Sequence, residues 1–429
     1  MYRIRIMVVS GILIGMLFSM VLVGTVYAAT TQIIIATGTY VVGDGGADEN
    51  MKLAQERSKA NAIRKVVQKA GLYVESYSKA EDMMITEDES RYAAGTVMNI
   101  LEEEFTPEVV SDNIIRYNTR IKAEINIDGM FQLLRQKDRQ EIEQNMQSYA
   151  ALLERTKNLE EENEKIKQKY TALVWDNQIK QEMNNLLGKN ESKFAANQMY
   201  MDSMKLLSQK QYQKALSLVN EALAKDEYEI GYVIRGNIHQ EMGQKSEAIE
   251  DYTNAIRMNA YLGDAYKKRG GIFESQGNKE AAFKDYSQAI SLGVKSYALY
   301  KKHGVILMGR SEWSGALKDF IKAYELNNQD NALCGMMGRT YQMLRQSTEA
   351  VDMFSKSIKM GSNDHQIFFW RGNVLQSQGK YAQAVNDYRR AIELYPCREY
   401  YSARGEAYLR MGNKKDAEID YDMAKTMRK

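Results

Sequence analysis

Few residues in this chain have the types and spacings that do chemistry. Its three histidines, His239, His303 and His365, are scattered. A metal site needs His, Cys or carboxylate ligands at short, fixed spacings, and these histidines have none with the two cysteines or with acids. Gly43-Asp44-Gly45-Gly46 has the look of a phosphate cradle, but no lysine follows it and it reads as a turn. There is no Gly-x-Ser-x-Gly elbow and no His-Glu-x-x-His helix. No catalytic residue, cofactor or metal is expected, and the chain is read as a non-enzyme. Its remaining polar residues are of interest for what they could hold.

Those residues sit in a repeat of 33 or 34 residues, marked by Ala215, Ala248, Ala282, Ala316, Ala350, Ala384 and Ala417. A glycine precedes all but the first of these alanines by twelve places: Gly236, Gly270, Gly304, Gly338, Gly372 and Gly405. An aromatic follows four places later: Tyr252, Tyr286, Phe320, Phe354, Tyr388 and Tyr421. The first copy is degenerate, with Ser203 at the glycine place. A period of this length signals stacked helical hairpins, each unable to bury its apolar face alone. The landmarks resemble the tetratricopeptide repeat family over 196–429, in seven copies. The expected fold is mainly α: an α-solenoid preceded by a small α+β domain and a long helix.

The resemblance implies that the second, fifth, ninth and twelfth residues of each first helix line an inner groove. Lys267, Lys301 and Arg339 then make a basic middle. Asn237 and Asn373 could hydrogen-bond an extended backbone, and Gln366, Phe369 and Gln376 complete the candidate site. Relatives that clamp a peptide carboxylate use lysine where this chain has Val233, so that role is not carried over. Two readings remain: a groove holding a partly acidic protein segment, extended or helical, or a solvated face holding none.

A second pattern belongs to the scaffold. Arg235, Arg269, Arg371 and Arg404 precede the first glycine, and Asp251, Asp285, Asp387 and Asp420 precede the aromatic in the same copies. Repeat four has His303 with Asp319; repeat five changes both places, to Met337 and Met353. The joint change predicts an ion pair between the two helices of a repeat, replaced once by an apolar contact. Cys334 and Cys397 lie about two repeats apart, and helices packed roughly 8–10 Å apart keep them beyond bridging distance.

The N-terminus carries Arg3 and Arg5, an apolar run from Ile6 to Val26, and Val26-Tyr27-Ala28 before a cleavage point. Residues 1–28 are either an export signal or an uncleaved membrane anchor, and both put the bulk of the chain outside the cytoplasm, in the periplasm or at the cell surface. Over 31–130 the pattern predicts strands at Gln32–Val42, Thr96–Glu104 and Asn113–Ile127, with a helix from Glu49 to Ala70. Ala36-Thr37-Gly38, Ala60-x-Ala62-Ile63-Arg64 and Gly95 resemble the N-terminal domain of the flagellar assembly protein T family and related envelope lipoproteins. That resemblance implies an envelope location, often within assemblies.

Residues 131–187 lack glycine and proline, and Leu152, Leu159, Ile166 and Leu173 recur at seven-residue steps, with Asn163 on the second seam. One helix is expected there, roughly 80 Å long, either dimerising as a coiled coil or docking on its own chain. The net charge of +2 gives no case for nucleic acid. The 25 methionines read as adaptable filling between helices.

Overall fold

A computed structural model of the chain describes residues 31–43, 55, 58–59, 61–70, 93–95, 97–111, 114–126, 139–171 and 177–427. Among these, no helix is long and apolar enough to cross a membrane. The expected signal or anchor, the Gly43–Gly46 turn beyond Gly43, and Leu173 lie outside the described residues.

The N-terminal module is one antiparallel sheet of β1 (Thr31–Gly43), β2 (Met98–Ser111) and β3 (Ile114–Asn126), in the order β1-β3-β2. Alternation in β3 puts Tyr117, Thr119, Ile121, Ala123 and Ile125 on one buried face. The helix over 61–70 covers that face with Ala62, Val66, Val67 and Ala70. Helix and sheet approach so closely that a Cβ on Gly38 would fall 1.9 Å from the Ser58 carbonyl oxygen and 2.3 Å from the Ala62 nitrogen. The hydroxyls of Ser58 and Thr119, both fully buried, bond to each other there. Along the free edge of β1, Asn61, Lys65 and Lys69 donate to the carbonyls of Thr39, Thr37 and Ile35. These bonds blunt an edge that would otherwise invite strand pairing. β2 runs further than its apolar pattern suggests, through Pro107, which an edge strand tolerates because its outer side needs no donor.

Where one helix over 131–187 is expected, two form: Arg139–Thr171 and Asn177–Ser208. They pack against each other, and the second runs through Gly188 without a break. Two residues of the heptad seam are therefore used within one chain. Leu152 and Leu159 are buried, and Leu152 joins Ala196, Tyr200, Ile230 and Ile234 in one core. Asn163, on the second seam, accepts from Asn190 Nδ2 at 3.1 Å within the same chain. Asn197 donates to the Leu152 carbonyl at 2.9 Å and to Thr156 Oγ1 at 3.0 Å, while Arg155 pairs with Asp226. The Arg139–Thr171 helix caps the solenoid instead of running on as an extended spacer. The physical reason is that a heptad seam specifies a partner helix, not which chain supplies it.

The N-terminal module seats on this cap. Gly95 admits the phenol of Tyr149, and Arg64 reaches Glu160 at 2.5 Å. Lys205 donates to the Met98 carbonyl at 2.9 Å. A cavity of about 540 Å³ remains at this junction, walled by Ile63, Val67, Met98, Tyr149, Leu153 and Met204.

Six hairpins follow the first, Asn177–Ser208 with Tyr212–Lys225: Glu229–Glu241 with Lys245–Met258, Gly263–Ser275 with Lys279–Ser291, Tyr297–Gly309 with Trp313–Leu326, Asn331–Met343 with Ser347–Lys359, His365–Ser377 with Tyr381–Leu394, and Arg398–Arg410 with Lys414–Thr426. The first glycine of repeats two to seven is a packing device: a Cβ on Gly236, Gly304 or Gly372 would fall within 2.7 Å of the ring of Tyr252, Phe320 or Tyr388. Those rings also meet the next repeat, as Tyr252 shares a core with Ala265 and Ile272. At the degenerate first copy Ser203 stands in the glycine place, its hydroxyl donating to the Ala215 carbonyl at 2.7 Å.

Candidate partner-binding groove

First helices adjoin one another from repeat one to two, five to six and six to seven, so at those junctions they share one face of the array. The scaffold that holds them is the charge pattern seen in the sequence. Arg235, Arg269, Arg371 and Arg404 reach Asp251, Asp285, Asp387 and Asp420 at 2.6–2.8 Å. In repeat four His303 Nδ1 lies 2.5 Å from Asp319. In repeat five Met337 is buried and Met353 packs against the same core. A third partner escaped sequence reasoning. Arg235, Arg269, His303 and Arg371 also bond Asn220, Thr253, Ser287 and Ser355 of the preceding repeat, each 15 or 16 places earlier. The signal was present: at the matching place before Met337 the chain has Ile321.

Of the other two histidines, His239 has its Nδ1 2.9 Å from Asp251 but without hydrogen-bond geometry, and His365 bonds the Tyr400 hydroxyl at 2.6 Å while stacking on Tyr395. Among the described residues no group of three His, Cys, Asp or Glu is placed to hold a metal.

The groove candidates divide into groups. Asn237 and Asn373 do not present free carbonyls: their Oδ1 atoms accept from the hydroxyls of Tyr252 and Tyr388, each at 2.8 Å. Gln240 and Gln376 share the same two hydroxyls. Tyr286 donates likewise to Glu274 and Tyr421 to Glu406, whereas Phe320 and Phe354 have no such need. Phe369 is buried against Tyr400, with ring centroids 4.5 Å apart, and is a wall rather than an open contact. Gln366 is exposed.

The basic middle is also smaller than its sequence suggests. Lys267 pairs with Asp264 at 2.6 Å and Lys301 with Asp330 at 2.5 Å. Burial alone would raise the Asp330 carboxyl, but hydrogen bonds from Lys301 and Tyr297 bring it below its ordinary value. Asp330 is also the N-cap of the first helix of repeat five, accepting from the N–H groups of Ala332 and Leu333. Asp330→Ala should therefore cost about 1–2 kcal/mol, the cap supplying most of it and the partly exposed pair the rest. Asp330→Asn keeps the cap and should recover at least half in urea titration.

Tyrosines give the array a pH limit. Burial, followed by nearby Cys397 and Glu399, pushes the Tyr400 phenol up to about 12. Burial likewise raises Tyr200, Tyr252, Tyr286 and Tyr388. Unfolded tyrosine ionises near pH 10, so this stabilisation is full below about pH 10 and is lost as pH rises beyond it. Thermal melts followed by circular dichroism should hold from neutral pH to about pH 9 and fall steeply above about pH 10. A transition unmoved at about pH 11.5 would contradict this.

The comparisons with known proteins bear on the same half of the chain. The tetratricopeptide repeat family model matches residues 235–294 and 369–428. Similar solved structures include YrrB, a TPR protein with an unusual peptide-binding site, at 18% identity and TM-score 0.40, covering 42% of this chain and 94% of that one. A tetratricopeptide repeat protein from Parabacteroides merdae is 20% identical, with TM-score 0.35, covering 55% of this chain and 94% of that one. The pilF protein of Pseudomonas aeruginosa is 16% identical, with TM-score 0.38, covering 51% of this chain and 99% of that one. No curated protein matches the chain. The C-terminal half carries tetratricopeptide repeats.

Proposed function

We propose that this chain is an exported envelope adaptor that holds a segment of a partner protein in its repeat groove, without bond chemistry. One observation carries the reading. The first helices adjoin at both ends of the array, the scaffold charges beside them are internally paired, and Gln240, Arg339 and Gln366 keep surface to offer. A pre-ordered face of this kind lowers the ordering cost of binding an extended or helical segment. Export is supported by Arg3, Arg5 and the apolar run Ile6 to Val26.

In-cell crosslinking and mass spectrometry of the tagged full chain test this, beside a variant carrying Gln240→Trp and Gln366→Trp. Both positions are exposed, so the fold should tolerate the added bulk. The expected result is loss of specific partners from the variant. An unchanged partner set would remove the groove reading, and self-crosslinks alone would favour a structural component of a flagellum-like or secretion assembly.

A further inference from the structure

The groove cations are not equivalent. Lys267 has Asp264, Lys301 has Asp330, and Lys302 of repeat four has Glu274 at 2.8 Å. Arg339 has no carboxylate within 4 Å among the described residues. Its Nη1 donates to Gln342 Oε1 at 2.7 Å, and its Cζ lies 5.0 Å from the centre of the Trp370 ring. It is also not a scaffold charge, because in its repeat that role has passed to Met337 and Met353. Burial pushes the guanidinium's pKa down, with Glu399 acting against it from beyond pairing distance.

A half-buried guanidinium has lost part of its hydration without gaining a counter-charge. It still offers donors in a planar fork, with an aromatic wall beside it, and that arrangement suits a carboxylate taken bidentately. The paired lysines offer less, since each would have to release its own carboxylate first. We propose that Arg339 is the acid-reading residue of the groove: an aspartate or glutamate side chain within the docked segment binds its free N–H groups beside Trp370. This rests on the groove reading and narrows it from a basic middle to one position.

A random peptide library, fused at its C-terminus so that no free carboxylate is displayed, is panned on the full chain. Arg339→Gln, Gln342→Glu and Lys301→Gln variants are panned in parallel. Gln342→Glu puts a carboxylate where the amide oxygen already accepts from Arg339, satisfying the guanidinium from within. The wild type and Lys301→Gln should enrich peptides with Asp or Glu at one fixed place. Arg339→Gln and Gln342→Glu should lose that preference, and a selected wild-type peptide should bind them about 10-fold or more weakly. An acidic place that persists on Arg339→Gln, or vanishes on Lys301→Gln, overturns the assignment. Enrichment without any acidic preference overturns it while leaving the groove reading intact. No enrichment over the variant with Gln240→Trp and Gln366→Trp overturns both.

Discussion

Asp387→Ala is expected to destabilise repeat six by about 2–4 kcal/mol, whereas Arg371→Met with Asp387→Met should cost less than about 1.5 kcal/mol. Asp387 is 7% and Arg371 21% exposed at the side chain, with a fork of bonds at 2.6 and 2.8 Å between them. Removing one partner leaves the other charge partly buried and uncompensated, a loss larger than the pair's net contribution. The Arg371 exposure places the estimate below that for a fully buried pair. Repeat five already carries the apolar solution, with Met337 4% exposed. Both variants are compared with the wild type by urea denaturation. Because solenoid stability sums repeat and interface terms, the single change should also lower protection of the adjoining hairpins in hydrogen exchange. Equal losses for the single and double variants would show that the pair is not a unit.

Gly38→Ala should have a comparable or larger effect, confined to the N-terminal module. The new Cβ would meet backbone atoms of Ser58 and Ala62, not the end of a side chain that can swing away. Accommodation requires the helix to lift from β1, opening the core of Ile34, Ala36, Ala62, Val66 and Ile121. Overpacking of this kind costs about 3 kcal/mol or more where backbone must move. The expected readout is fast exchange of amides over 61–70 with the protection of the repeats unchanged. Protection equal to wild type over that helix would show that the approach is looser than described.

The repeats were legible because their period is long, fixed and carried by glycine and aromatic places that packing demands. The Arg–Asp pairs were legible for a different reason: both members change together at Met337 and Met353. The groove was less so. Lys267 and Asp264 stand three residues apart on one helix, a spacing that announces a pair. Lys301 finds Asp330 across a repeat boundary, which no local spacing reports. Asn237 and Asn373 look free in the sequence because the tyrosine hydroxyls they satisfy lie on the other helix of the hairpin. The fold-back of Arg139–Thr171 on Asn177–Ser208 stayed hidden because Leu152 and Leu159 form the same seam whether the partner helix is their own or another chain's. In the sheet, strands could be read singly, but the central place of β3 depends on pairing between segments far apart in the chain.

The inner face is where a partner is expected to sit, and a photo-crosslinking amino acid can report that position. Placed at Gln366, on the first helix of repeat six, and separately at Arg390, exposed on its second helix, it samples the two sides of one hairpin. The prediction is a discrete protein adduct from Gln366 in living cells and none from Arg390. Adducts of equal yield at both positions, or from Arg390 alone, would contradict the groove as the binding surface.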